Sequence, residues 1–228
     1  MAKKRVFYTE LCYVLALLIM AFAAAFTAKA NFGMSMVVAP AYILHLKISE
    51  YLPFFSFGVA EYVFQALLLV VTVIIMKRFK WYYLFSFITA FLYGNLLDAA
   101  IFIISPLPQQ SLLIRMVYFV LGTVLCSFSV ALFFKTYISP EAYELIVKEL
   151  SNKAKTDINR VKTIYDISSV VLSVALSFLF FGFGVFKGVG IGTVLCAVIN
   201  GYLIGRFTKL LNRRFFFKDK FNLEKYFS

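Results

Sequence analysis

Apolar residues dominate this chain in long runs broken by short polar or basic-aromatic stretches, and the spacing of those breaks predicts nearly all of its elements. A helix needs about 20 apolar residues to cross hydrocarbon. Six runs meet that length, at about Phe7–Ala30, Phe57–Met76, Leu84–Ile104, Leu112–Ile138, Thr163–Phe183 and Gly188–Arg206. Breakers set their ends: Ser105-Pro106-Leu107-Pro108 stops the third helix, and Trp81-Tyr82-Tyr83 sits where an interfacial aromatic belt belongs. Two apolar segments are too short to span. Met36–Leu46, interrupted by Pro40, reads as a re-entrant or interfacial piece. Glu141–Leu150 mixes Leu145, Ile146 and Leu150 with Glu144, Lys148 and Glu149, and reads as an amphipathic helix on the membrane surface, opened by Ser139-Pro140-Glu141. The expected fold is therefore an all-α polytopic membrane protein.

Composition agrees. The 228 residues are 62% hydrophobic and only 15% charged, too little polar material to clothe a globule in water. The net charge of +12 does not point to nucleic acid, because the charges flank the apolar runs. Lysines and arginines cluster at Lys3–Arg5, Lys77–Lys80, Lys135–Lys162 and Arg206–Lys225, leaving Lys29, Lys47, Arg115 and Lys187 for the other side. The positive-inside rule then places six spans in the cell membrane with both termini cytoplasmic. Lys3-Lys4-Arg5 and Ala28-Lys29-Ala30 imitate a secretory signal. The apolar stretch from Leu11 to Thr27 exceeds a signal core of about 7–15 residues, so it is expected to remain as the first membrane helix. The alanines Ala21, Ala23, Ala24 and Ala25 predict that this helix packs closely against a neighbour.

The last span can be laid over the third. With Thr193 on Ser86, Gly201 falls on Gly94 and Gly205 on Asp98. This suggests two units, residues 1–108 and 109–209, followed by a basic tail, 210–228. A unit of three crossings must return upside down, so the units are expected to be inverted repeats, each with one extra short helix. Chance self-similarity among apolar helices is the competing explanation. Inverted repeats with short helices in corresponding places are the sequence pointer to a secondary transporter.

The stretch GVGIGTVLCAVINGYLIG at Gly188–Gly205, the turn Asn31–Ser35 ahead of a short segment, and Ser56-Phe57-Gly58 opening the second span together resemble the bacterial membrane family YitT/YczE. That resemblance implies a membrane fold and a transport role in a largely uncharacterised family. Ser139-Pro140-Glu141 and a charged linker depart from its pattern in the second unit.

Ionisable groups within spans are costly and each needs a reason. Glu61, with Gln65 one turn on, and Asp166 occupy matching places in the two units. Two readings stay open: carboxylates that bind a cation, proton or substrate, or solvated acids at helix starts. Asp98 lies deeper, one turn after Gly94 and beside Asn95, and Asn200 with Gly201 mirrors that theme; these line a cavity or join helices. The turn residues Asn31, Gly33 and Ser35 mark the short segment, and a helix start after Gly33 offers a dipole to an anionic substrate. Lys29, Arg115 and Lys135 read as snorkelling cations or as anion recognition. The tail Arg213–Lys218 reads as an anchor to anionic lipid. Cys12, Cys126 and Cys196 share no paired spacing and His45 stands alone, so no metal site is expected. With no nucleophile–base pair and no phosphate-cradling loop, neither catalytic residues nor a cofactor are expected. The expected partners are lipids, a small solute or ion and further copies of the chain. Two other functions fit the same pattern: the substrate-capture subunit of an energy-coupled vitamin importer, and a non-transporting lipid-binding or scaffold protein.

Overall fold

The computed structural model of the protein describes residues 5–138, 141–156 and 158–220. Eight helices form among them: α1 (Thr9–Ala30), α2 (Ala39–Ile48), α3 (Phe57–Met76), α4 (Tyr82–Ile104), α5 (Leu112–Phe133), α6 (Ala142–Ala154), α7 (Ile158–Phe181) and α8 (Ile191–Arg214). Strand β1 (Arg5–Tyr8) precedes α1, and strand β2 (Phe215–Lys218) follows α8. Helices α1, α3, α4, α5 and α8, with Arg160–Phe181 of α7, are each long and apolar enough to cross a membrane. The protein is thus an all-α, multi-pass membrane protein with two short helices between its spans.

Helix α1 lies at the centre, packed along both α5 and α4. Its alanine-rich face makes this possible: Ala16, Ala21, Ala23, Ala24 and Ala25 are buried, which lets neighbouring backbones come close. Around this pair the packing is reciprocal. α1 meets α4 as α5 meets α8, α2 meets α3 as α6 meets α7, and α2 crosses to α7 as α6 crosses to α3. The tight packing of α3 against α4 has no counterpart of that kind, since α7 and α8 are not joined in the same way. Their outward faces carry Ile167, Val171 and Leu179 on α7 and Val194, Val198 and Tyr202 on α8, all exposed and suited to lipid.

Helix α6 differs from its expected place on the surface. Ala142, Tyr143, Leu145, Ile146, Val147 and Glu149 are buried, and the Ala142 N–H donates to Gln65 Oε1 at 3.1 Å. Gln65 lies about 12 Å along α3, a helix about 30 Å long. At its far end α6 reaches the C-terminal end of α3, where Lys153 Nζ donates to Ile75 O at 2.5 Å and Lys80 Nζ to Glu149 Oε1 at 2.7 Å. α6 therefore begins beside the middle of α3 and runs alongside it to its end, as a half-length helix inside the bundle. The proposed serine cap and first-turn proline, Ser139 and Pro140, lie outside the described residues. Glu141 is the residue at the N-cap.

The fourth spanning run also ends early, with α5 stopping at Phe133 rather than Ile138. Thr136 Oγ1 accepts the Ile138 N–H at 3.2 Å, a local bond that competes with helix continuation. The next residues join the chain ends. β1 and β2 pair in parallel, Val6 opposite Phe216 and Phe7 opposite Phe217, and Glu10 Oε1 accepts from Tyr137 OH and from the Lys220 N–H, both at 3.0 Å. The Phe7 ring lies 5.2 Å from that of Phe215. Up to Lys218 the tail is thus an extension of α8 and a strand; residues 221–228 lie outside the described residues.

This pairing has a direct check. Val6→Cys with Phe216→Cys, in a background freed of Cys12, Cys126 and Cys196, should form a disulfide under mild oxidation, since paired strands bring Cα atoms within bridging reach. With a protease site placed in the loop at Pro106–Gln109, the two halves should stay linked on a non-reducing gel. Separate fragments would mean the strands do not pair.

Candidate functional site

The site grows from the start of α3. Ser56 is its N-cap, accepting the Val59 N–H on Oγ at 3.1 Å. Asp98 reaches across from α4 to the same end: its Oδ1 accepts the Gly58 N–H at 2.8 Å, and its Oδ2 accepts the Ser56 hydroxyl. The carboxylate thereby satisfies donors that a helix start leaves open, next to the positive end of the dipole. The helices come together at a glycine pair. A Cβ on Gly58 would lie 1.9 Å from Gly94 O, and one on Gly94 would lie 2.5 Å from Gly58 O. Asp98, read from sequence as a possible ligand, is taken up in joining α4 to α3.

One turn further along α3 stands Glu61, wholly buried, and one turn beyond it Gln65, also wholly buried. Both face the start of α6. Glu61 Oε2 accepts from Tyr143 OH at 2.8 Å and from Gln65 Nε2 at 3.4 Å. The same Nε2 donates to Glu141 Oε2 at 3.3 Å, and Gln65 Oε1 receives the Ala142 N–H. That backbone donor fixes which way the amide points, so its NH2 must face the two carboxylates. Glu141 is 6% exposed. Although it occupies the N-cap, its carboxylate caps nothing on its own helix, because it turns to Gln65 instead. Neither Glu61 Oε1 nor Glu141 Oε1 has a hydrogen-bond partner among the described residues. Burial, then the negative charges of Glu144 and Glu61, push the Glu141 carboxyl well above the usual carboxylate range.

Asp166 is brought to the other side of α6. Lys162, one turn earlier on α7, lies 3.3 Å from Asp166 Oδ1 and 3.8 Å from Glu144 Oε1. The two matched acids of the sequence thus flank one half-helix without meeting. Asn95 bonds within its own helix, Nδ2 to Phe91 O at 2.7 Å, and is exposed. Asn200 Oδ1 accepts from Ser127 Oγ at 3.2 Å, linking α8 to α5. Gly201 and Gly205 have no atom within 4 Å of a Cβ position, so they form no packed contact of the kind Gly94 makes.

The remaining motifs meet at one end of the bundle. Asn31 ends α1 in the left-handed region, with φ 54°, and its carbonyl accepts from Arg115 Nη2 at 2.9 Å. Gly33, at φ 105°, passes so close to the start of α8 that a Cβ would lie 2.6 Å from Gly190 N and from Thr193 Oγ1. The Met34 N–H donates to Gly188 O at 2.9 Å and the Gly192 N–H to Phe32 O at 2.8 Å, while Ser35 O receives the Val38 and Ala39 N–H groups that open α2. The glycine-rich start of α8 is therefore a seat for the turn after α1. Beside it lies a cavity of about 890 Å³, bounded by Lys29, His45, Phe57, Lys187 and Gly190 among others. Phe57, Glu61 and Gln65 share one face of α3, so the face that borders this cavity leads, one turn on, to the carboxylates.

Sequence reasoning missed Glu141 and Tyr143, the partners that turn Glu61 and Gln65 into a constellation. An available signal was Gln65 itself, an amide in mid-span that needs polar partners from another helix. Among the described residues no group of histidine, cysteine and carboxylate side chains is arranged to hold a metal. Neither the curated proteins nor the solved structures contain a match to this chain. The model of a family of unknown function, DUF6198, matches residues 7–209, and the chain belongs to that family.

Proposed function

We propose that the protein is a small secondary transporter that carries a small solute by alternating access between two inverted units. The observation that carries this reading is the buried Glu61–Gln65–Glu141 cluster, placed where a half-helix of one unit begins against the middle of a spanning helix of the other. Sites of that build, near the midplane and at a broken helix, are where such carriers bind substrate or coupling ion. The reciprocal packing of α1–α4 with α5–α8 supports the inverted relation. Pairing of β1 with β2 supports an even number of crossings, and the basic clusters support cytoplasmic ends in a cell membrane. The reading includes the resemblance of the sequence to the YitT/YczE family and a role without catalysis.

The cavity is open at the end where Lys29 and Lys187 lie, and the other end is closed by α6 against α3. The Lys80–Glu149 pair holds that closed seam. Single cysteines test the exchange: Ile101→Cys on the cavity wall and Val73→Cys on the α3–α6 seam, each in a cysteine-free background in proteoliposomes. Each should react with a membrane-impermeant maleimide from opposite sides. Adding Lys80→Met should raise labelling at position 73 and lower it at position 101. If the two sites respond independently, or react from one side, alternating access is wrong.

A further inference from the structure

We infer that Glu61 and Glu141 form a two-carboxylate proton-binding site in which the pair carries one proton across the Gln65 amide. It deepens the transport reading by naming the coupling ion, and rests on that reading only for the proton's onward movement; binding itself can be observed without transport.

Three features of the geometry lead to it. First, the two carboxylates share one donor, Gln65 Nε2, at 3.4 and 3.3 Å, and each leaves Oε1 without a hydrogen bond. Buried like charges this close do not both persist, so one of the pair takes up a proton. Second, the positive end of the α6 dipole faces the site through the Ala142 N–H. It is equivalent to about half a positive elementary charge, too little to offset two carboxylates. Third, among the described residues no basic side chain is bonded to either carboxylate. The cation nearest the cluster along α7, Lys162, is held by Glu144 and Asp166.

The groups facing the pair from the surrounding helices do not change this balance. α6 contributes Tyr143, a donor to Glu61, and Glu144, a further negative charge. α4 contributes Tyr93, neutral and 1% exposed, and α1 contributes Tyr13, whose hydroxyl bonds to Thr89 Oγ1 at 2.8 Å. α7 contributes Tyr165 beside the Lys162–Asp166 ion pair. The pair is therefore a carboxyl–carboxylate couple, and Gln65 is a positioning residue that holds both members by one amide.

Dicyclohexylcarbodiimide tests this, because it adds to protonated carboxyls in apolar surroundings and not to carboxylates. Full-length protein in lipid nanodiscs is treated with the reagent and the adduct located by peptide mass mapping. One adduct per chain is expected, on Glu61 or Glu141, with labelling falling about tenfold per pH unit once the pair ionises. Sodium or potassium at constant pH should leave it unchanged. Glu61→Gln removes the competing charge, so the adduct on Glu141 should then fade at lower pH than in the parent. Glu141→Gln should do the same for Glu61, which keeps the test intact if one variant fails to fold. Gln65→Leu, which frees both carboxylates from their common donor, should shift the profile without moving the adduct elsewhere. Absence of an adduct near neutral pH, an adduct on other residues, or protection by sodium would overturn the inference. Protection by sodium would leave transport standing with a metal cation as the coupling ion. Normal carbodiimide labelling with no alternation of cysteine access would leave proton binding standing without transport.

Discussion

Alanine at Gly58 is expected to lower the melting midpoint of the detergent-purified protein further than a single methyl group added elsewhere on α3 or α4. The new Cβ would sit 1.9 Å from the Gly94 carbonyl oxygen and 2.7 Å from the Asp98 carboxylate. Both are held in place, the first by its helix and the second by Ser56 and the Gly58 N–H. Neither can yield as a flexible side-chain end would, so α3 and α4 must move apart and Asp98 loses its grip on the α3 start. Overpacking costs about 1–3 kcal/mol and sometimes more, and this position belongs at the upper end. Gly201→Ala is the control, since nothing lies within 4 Å of its Cβ position and alanine is favoured over glycine in a helix by about 1 kcal/mol. Thermal melts followed by size-exclusion chromatography should separate the two variants clearly. Equal midpoints would mean that the helices do not cross at these glycines.

Lys80→Met is expected to have an effect of similar size at the other end of α3. Glu149 is buried, and accepts from Lys80 Nζ at 2.7 and 3.0 Å and from the Tyr82 hydroxyl. Removing the lysine leaves a buried carboxylate without its counter-charge, which costs about 3–5 kcal/mol. Adding Glu149→Gln should restore most of the loss, because no charge then remains to be compensated. The same pair sets an acid limit. Burial pushes the Glu149 carboxyl up, but the Lys80 and Tyr82 hydrogen bonds and the Lys80 charge outweigh it and hold it below the usual range. A depressed folded-state value means that its contribution is complete above the unfolded value, about pH 4.3, and is lost as pH falls through the lower folded value. Melting midpoints of parent and Lys80→Met should therefore converge below about pH 4. A gap that persists in acid would show that the ion pair is not its source.

The spans were legible because membrane crossing is a constraint on single segments, readable one run at a time. Phe57–Met76 matched to the residue, since a serine cap opens it and Lys77 closes it. α6 was misplaced for a physical reason. An amphipathic pattern states that one face avoids water, and a helix on a membrane surface and one against α3 meet that need alike. What separates them is Gln65, a partner about 77 residues away in sequence. The strands were hidden by a longer separation still: Arg5–Tyr8 finds its partner only after the chain between them has folded. Of the candidate site, Glu61 and Gln65 were visible as polar groups in a span, whereas Glu141 looked like an ordinary acid at a helix start. Asp98 looked equally chemical, and only the geometry shows it bonded to another helix's first turn.

The strand pair has a mechanical consequence. It ties the entry of α1 to the exit of α8, the first and last long helices of the chain, at one end of the bundle. Any rocking of the front half against the back half has its pivot there, with the smallest travel near Tyr8 and Phe215. Displacement grows toward the opposite rim, where Asn31–Ser35 rests on Gly188–Thr193.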